Sequence, residues 1–281
     1  MLPQFNLLIN YYSKFYRMSK IINKTPITYY GGKQKMLKNI LPLIPPHEIY
    51  IEAFAGGAAV FWAKEPVRNE TLNDLNGEVA NFYKILKTDF LALQELVQTT
   101  MHSRQEYQDA VVIYKNPHLF DELKRAWAFW VSCNQSFSSS IGGGWAYNKK
   151  RKNTRAISIY NKRTNFLCAY TERLEKVSIE NKDAVELIRS RDIEKAFFYI
   201  DPPYHNATQG HYAGYKERDF EDLLKVLIDL KANFLLSSYP SGLLKKYVKE
   251  NNWYQKSFES TISATTHRRK KVEVLTANYE I

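Results

Sequence analysis

Four consecutive residues, Asp201-Pro202-Pro203-Tyr204, have side chains and spacing suited to chemistry. Residues 196–200 directly before them are apolar throughout, which predicts a buried strand. Open α/β sheets bind ligands at the carboxyl ends of their strands, so we expect a site here. The two prolines have a fixed φ and no N–H group, which leaves the Asp201 carboxylate and the Pro202 carbonyl as acceptors without a competing donor.

The chemistry that these two acceptors favour is transfer to an amino group on an aromatic ring. The lone pair of such a nitrogen is delocalised into the ring, which makes it a poor nucleophile. Hydrogen bonds to Asp201 and Pro202 favour a pyramidal nitrogen that attacks a donor methyl group directly, without a covalent enzyme intermediate. Tyr204 would stack on a base that has left its duplex. The simpler alternative is an ordinary strand followed by a Pro-Pro turn.

Strand and helix signals alternate on both sides of a different middle region. Residues 49–64 contain a strand, a glycine turn and a helix, and residues 70–86 form a second such unit. The alternation resumes at Asn165, and the last two strands flank residues 265–271. This pattern predicts a mostly parallel sheet covered by helices on both faces, with an antiparallel edge from the final strands.

The middle region, residues 99–164, combines predicted helices around 106–114 and 119–129 with a strongly basic segment. Between Gly142 and Thr164 there are seven Lys or Arg residues and no acidic residue, and the whole chain has a net charge of +11. Such charge favours a polyanionic partner, and interleaved aromatic side chains suit nucleic acid. A basic loop without base contacts is the alternative. The candidate DNA-binding residues are Trp145, Tyr147, Lys149, Lys150, Arg151, Lys152 and Arg155.

Composition argues against several other classes of protein. The chain has no apolar run of the ~18 residues that a membrane-spanning helix needs, so we expect a cytoplasmic protein. Cys133 and Cys168 lie far apart in apolar or aromatic surroundings, so we expect both to be buried, without a disulfide or a metal site. Residues 1–24 are interpreted as an extension, with Met1 or Met18 as the native start.

The tetrad and the glycine turn near Phe54 together resemble the Dam-type family of DNA adenine methyltransferases, over residues 25–281. The resemblance implies a Rossmann-like S-adenosylmethionine-dependent methyltransferase fold with an inserted, mostly helical target-recognition domain. It also implies methyl transfer to the N6 amine of an adenine in double-stranded DNA. The implied organisation is an extension (1–24), a catalytic domain in two parts (25–98 and 165–281) and a recognition insertion (99–164).

The same resemblance implies a donor site that binds S-adenosylmethionine and releases S-adenosylhomocysteine, without a metal. Small residues around the glycine turn let the backbone approach the donor, and Asp74 occupies the family position that binds the ribose hydroxyls. The chain departs from the usual pattern with Ala53 in place of proline and Ala58 where glycine is frequent. The implied donor-binding residues are Tyr30, Lys33, Glu52, Phe54, Ala55, Gly56, Gly57, Asp74, Asp183 and Asp201.

Several alternatives keep the fold but change the acceptor to cytosine N4, RNA adenine or a protein amide. Cytosine-amine enzymes more often carry serine at the position of Asp201, and protein-amide enzymes more often carry asparagine, so Asp201 favours adenine. A DNA-binding module without catalysis is the rival from another class, suggested by the altered glycine motif. The pattern leaves open the recognised DNA site, a cognate restriction endonuclease as partner, and the oligomeric state.

Overall fold

The computed structural model describes residues 22, 24–137, 141–148, 154–204, 214–261 and 270–281, without the side chains of residues 260, 261, 270 and 271. Most of the predicted extension lies outside these residues. So do four of the candidate DNA-binding residues, Lys149, Lys150, Arg151 and Lys152.

Seven strands form one sheet in the order β3-β2-β1-β4-β5-β7-β6. Strands β1 to β5 pair in parallel, whereas β7 runs antiparallel to both β5 and β6. The predicted α/β class and Rossmann-like fold are confirmed, and the final strands form the predicted antiparallel edge. The strands are β1 (Ile49–Glu52), β2 (Asn69–Asn73), β3 (Val177–Glu180), β4 (Ala196–Ile200), β5 (Asn233–Ser238), β6 (Tyr254–Thr261) and β7 (Lys270–Ala277).

Helices cover both faces of the sheet, as the composition of β4 requires. Phe197 and Tyr199 pack in one apolar cluster, whereas Phe198 and Ile200 pack in the cluster on the other face. Successive side chains of a strand point to opposite faces, so a strand that is apolar throughout needs cover on both. The helices are α1 (Leu37–Ile40), α2 (Ala59–Ala63), α3 (Gly77–Thr88), α4 (Phe90–Thr99), α5 (Arg104–Lys115), α6 (Glu122–Gln135), α7 (Arg155–Thr164), α8 (Ala169–Leu174), α9 (Ala184–Ser190), α10 (Glu217–Ile228) and α11 (Gly242–Glu250).

Helices α5, α6 and α7 lie in the middle region, and two of them differ from the sequence prediction. Helix α6 begins at Glu122 rather than near residue 119, because Asp121 caps it by accepting a 2.7 Å hydrogen bond from the Lys124 N–H. Helix α7 was not predicted, since its sequence is dominated by polar and basic residues. Thr154 caps α7 by accepting a hydrogen bond from the Ile157 N–H.

The two cysteines have different environments. Cys133 is buried in α6, as predicted, but Cys168 is exposed, so the prediction for Cys168 was wrong. Cys168 directly precedes α8, whose inward-facing residues are Tyr170, Arg173 and Leu174, and the thiol lies on the other side. Within the described part of the chain, no helix is both long and apolar enough to span a membrane.

Candidate functional site

A cleft of about 1040 Å³ opens at the carboxyl ends of the parallel strands. It lies where the strand order reverses between β1 and β4, the usual position of a ligand crevice in an open α/β sheet. The cleft brings together the predicted catalytic and donor-binding residues from four strand ends and from the segment before α1. Those residues are Tyr30, Lys33, Glu52, Phe54, Ala55, Gly56, Gly57, Asp74, Asp183, Asp201, Pro202, Pro203 and Tyr204.

Asp201 is the centre of a charged cluster in the cleft. The Lys33 Nζ lies 2.7 Å from Asp201 Oδ1, with side-chain exposures of only 5% and 18%. The Tyr204 hydroxyl donates a 3.2 Å hydrogen bond to the same Oδ1 and lies 3.0 Å from Ser237 Oγ. The lysine and the tyrosine therefore fix the orientation of the carboxylate, while Asp201 Oδ2 is not held by either contact.

The pKa values of this ion pair are set by burial and by mutual attraction. Burial raises the pKa of Asp201, and the Lys33 ammonium opposes that rise. Burial opposes the charged form of Lys33, but the combined attraction of Asp201, Tyr199 and Glu273 outweighs burial and raises the pKa of Lys33 above its usual value. The carboxyl of Glu273, on β7, also raises both pKa values through its charge. Lys33 is therefore the counter-ion of Asp201 and limits the rise in the pKa of Asp201.

Two contacts also hold the ring of Tyr204. Its centroid lies 4.3 Å from that of Tyr239, and the Lys33 Nζ lies 5.0 Å from the same ring. Sequence reasoning missed Ser237, Tyr239 and Glu273, because they come from β5, its following loop and β7. The available signal was the polar end of β5, since β5 was expected to end at the same edge of the sheet.

The glycine turn after β1 depends on Gly56. Its φ is +46°, and a Cβ atom there would lie 2.6 Å from Cδ1 of Tyr29. The Gly56 N–H donates to Asp74 Oδ2 at 2.8 Å, and its carbonyl accepts from the Tyr83 hydroxyl at 2.9 Å. Ala58 has a φ of 48°, which explains why glycine is frequent at that position; left-handed backbone costs alanine about 1 kcal/mol.

Asp74 and Glu52 are two carboxyls of the cleft lining; Asp74 is half-buried and Glu52 is buried. Asp74 also accepts a 2.9 Å hydrogen bond from the Asn76 N–H, and burial raises its pKa to about 6. Glu52 Oε2 accepts from the Tyr50 hydroxyl at 2.8 Å and from the Phe61 N–H at 3.1 Å. Burial raises the pKa of Glu52 to about 8. Each acid thus stabilises the local backbone and also lines the cleft.

Asp183 lies at the other end of the cleft and caps α9. Its Oδ1 accepts hydrogen bonds from Val185 and Glu186 at 2.9 and 3.2 Å, and its side chain is exposed. Phe54 and Tyr215 meet nearby edge to face, with centroids 6.5 Å apart. Sequence reasoning also missed Tyr215, whose buried hydroxyl has no hydrogen-bond partner among the described residues.

The described candidate DNA-binding residues lie outside the cleft lining. Trp145 pairs with Ser136 through an isolated bridge, Tyr147 is half-exposed, and Arg155 begins α7. Lys162 of α7 donates hydrogen bonds to Thr28 and Asn134, which tie the end of the basic segment to the residues leading into the cleft.

Comparison with known proteins gives consistent matches. A model of the D12 class N6 adenine-specific DNA methyltransferase family matches residues 29–273. The type II methyltransferase M1.LlaDCHI of Lactococcus lactis subsp. cremoris is 25% identical over 279 residues, covering 92% of this chain and 96% of that protein. The DNA adenine methylase of Salmonella typhi is 23% identical over 276 residues, with 92% and 96% coverage. The modification methylase StsI of Streptococcus sanguinis is 24% identical over 291 residues, covering 92% of this chain and 43% of that protein.

Proposed function

Because the chain belongs to the D12 class N6 adenine-specific DNA methyltransferase family, we propose that it methylates adenine in double-stranded DNA with S-adenosylmethionine as donor and Asp201 at the reacting amine. The resemblance to adenine methyltransferases drawn from the sequence is confirmed by the family match. The donor, the extrusion of the target base and the roles of individual residues are the proposed part. The observation that supports them is the Lys33–Asp201–Tyr204 cluster in the cleft.

The cleft suits a large polar ligand. Its size is at the upper end of the ~300–1000 Å³ of typical ligand sites, which leaves room for a donor and a base. Two buried hydroxyls that line it, Tyr199 and Tyr215, have no hydrogen-bond partner among the described residues, and buried polar groups normally have one. The backbone of the Gly56 turn would approach the donor closely. Asp74 would bind the ribose of the donor, and Phe54 with Asp183 would bind its adenine. When bound, the donor supplies an electrophilic methyl group on a positively charged sulfur.

The residues of the tetrad act on the target adenine. Asp201 and the Pro202 carbonyl accept the two amino hydrogens and direct the nitrogen lone pair toward the methyl group. Tyr204, fixed by Ser237 and Tyr239, stacks on the extruded base, which must leave the duplex to be reached. Positioning and fixed charge supply the rate enhancement, and no covalent enzyme intermediate is needed.

A restriction endonuclease that recognises the same DNA site is the proposed biological partner. Relatives named as a type II methyltransferase and a modification methylase support this assignment. The rival interpretations, RNA adenine, cytosine N4 and a DNA-binding module without catalysis, are outcomes of the test below.

The test is mass spectrometry of nucleosides after incubating the protein and donor with unmethylated DNA or with RNA. We expect N6-methyladenine from DNA with the wild type and with Asp229→Ala, an exposed acid remote from the cleft, but not with Asp201→Ala. Methylcytosine would identify cytosine as the acceptor, and product from RNA alone would identify RNA as the substrate. No product from any protein, together with no donor binding by calorimetry in the presence of DNA, would favour the module without catalysis.

A further inference from the structure

Four side chains outside the cleft form a stack on the surface of the middle region. The His102 and Trp145 rings are nearly parallel with centroids 4.5 Å apart, and Trp145 stacks on Tyr147 at 5.8 Å. The Arg104 guanidinium lies 4.9 Å from the Trp145 centroid and 5.8 Å from the Tyr147 centroid. We call these residues, His102, Arg104, Trp145 and Tyr147, the Arg104 stack.

The charge of Arg104 is not neutralised within the described chain. Arg104 is exposed, and no described carboxylate forms an ion pair with it. The two nearest acids along α5 are engaged elsewhere: Glu106 accepts from the Met101 N–H at 2.7 Å, and Asp109 accepts from the Gln105 amide at 2.9 Å. The guanidinium therefore presents a full positive charge beside the basic segment.

Hydrogen bonds hold the aromatic part of the stack in place. The Trp145 indole N–H donates to Gln135 Oε1 at 3.2 Å, and the Ala146 N–H donates to the Gln135 carbonyl at 2.8 Å. The His102 Nε2 lies 3.0 Å from the Ala146 carbonyl. A guanidinium that contacts such a fixed surface loses little conformational entropy when it binds a ligand. Its N–H donors remain available in the plane of the guanidinium group.

The position of the stack relative to the cleft follows from α5. This helix starts with Arg104, and Tyr114 near its other end lines the cleft. Ten residues of helix span about 15 Å. That length corresponds to about four nucleotide steps of a DNA strand.

We propose that the Arg104 stack is a phosphate clamp that binds the DNA backbone about 15 Å, or about four nucleotide steps, from the part of the cleft that Tyr114 lines. A planar guanidinium suits bidentate contact with a phosphate. Because it lies exposed over two rings at the surface, it is placed for the backbone rather than for a base edge deep in a groove. This inference rests on the proposed function, since it takes DNA as the partner.

The experiment measures the dissociation constant for a fluorescein-labelled duplex of mixed sequence at several salt concentrations between about 50 and 200 mM. Arg104→Gln should weaken binding and lower the slope of log Kd against log salt by about 0.9, the value for one lost phosphate contact. Arg104→Lys keeps the charge but not the planar fork, so it should bind more weakly than wild type with the slope unchanged. The control is Lys195→Gln, an exposed cation that pairs with Glu48 directly before β4, at the end of the strands opposite the cleft.

The outcomes separate this inference from the proposed function. Wild-type methylation with an unchanged slope for a folded Arg104→Gln variant would overturn the clamp alone. An affinity loss confined to one DNA sequence would also overturn it, because that result indicates base recognition. A wild-type protein that binds no duplex would overturn both. Melting temperatures of the variants verify folding, which we expect to be unchanged because Arg104 is exposed.

Discussion

The Lys33 ammonium lies 2.7 Å from Asp201 Oδ1, so a residue near the start of the described chain supplies the counter-ion for the acid of the tetrad. The pair joins the segment before α1 to the end of β4. Because the Lys33 charge opposes the rise in the pKa of Asp201, removal of Lys33 should raise that pKa further.

Lys33→Met should lower kcat by about 100-fold or more, as the loss of one preorganised charged contact does. Without the ammonium, the pKa of Asp201 rises further, and the acidic limb of the kcat profile moves to higher pH. Steady-state rates across the pH range measure both effects. Lys35→Met, an exposed lysine in the same short turn, should leave the limb in place. If the acidic limb of the kcat profile did not shift for Lys33→Met, the counter-ion role of Lys33 would be refuted.

Tyr204→Phe should retain most base stacking, because the ring stays between Lys33 and Tyr239. It loses the hydroxyl contacts to Asp201 and Ser237. Because only the contact to Asp201 involves the reacting carboxylate, we expect kcat to fall about tenfold, the scale of that one hydrogen bond. Tyr204→Ala should abolish stacking. With 2-aminopurine at the target position, stacking on the ring at position 204 quenches the extruded base, so Tyr204→Ala should fluoresce more strongly than wild type and Tyr204→Phe. Equal signals from all three proteins would contradict the stacking role.

Gly56→Ala should destabilise the fold by about 1–3 kcal/mol, because it combines a left-handed backbone with an overpacked contact. The new Cβ would lie 2.6 Å from Tyr29 Cδ1. Donor binding, measured by calorimetry, should weaken together with stability. Gly242→Ala is the control, since a Cβ there meets no atom within 4 Å. If Gly56→Ala behaved like Gly242→Ala, the turn would be more adaptable than its contacts indicate.

Glu52→Gln should stabilise the protein at alkaline pH. The folded-state pKa of Glu52 is about 8, above the ordinary value of 4.5, so the fold favours the protonated acid. As pH rises from about 4.5 to 8, the unfolded chain ionises first and Glu52 contributes progressively less to stability. The melting temperature of Glu52→Gln should therefore exceed that of wild type by a margin that grows up to pH 8 and then stays constant. Glu65→Gln, an exposed control, should show no such margin. A constant difference across pH would mean that Glu52 is ionised in the fold.

The sheet and the location of the tetrad could be predicted because their signals are local. An apolar run of five residues followed by an acid and two prolines indicates a buried strand and the place where it ends. The turn at Gly56 is equally local, because glycine is needed where φ is positive. Helix α7 was missed because most of its residues are polar or basic and only Ile159 among them is buried.

The partners of the tetrad could not be predicted, because they depend on how distant segments meet. Ser237, Tyr239 and Glu273 approach Tyr204 and Asp201 only after β5 and β7 have joined the sheet. The Arg104 stack likewise requires the start of α5 to meet the segment before the basic run. Cys168 is exposed because a different side of the short helix α8 faces the core. Composition alone does not indicate which side that is.

The parallel pairing of β1 with β4 has a consequence for biosynthesis. Ile49 pairs with Ala196, so the ribosome must make the whole middle region before the central pair of strands can form. Contacts so distant in sequence close large loops and fold slowly. Until β4 emerges, the nascent chain therefore exposes the apolar strand β1 with one edge unpaired, a state that favours aggregation.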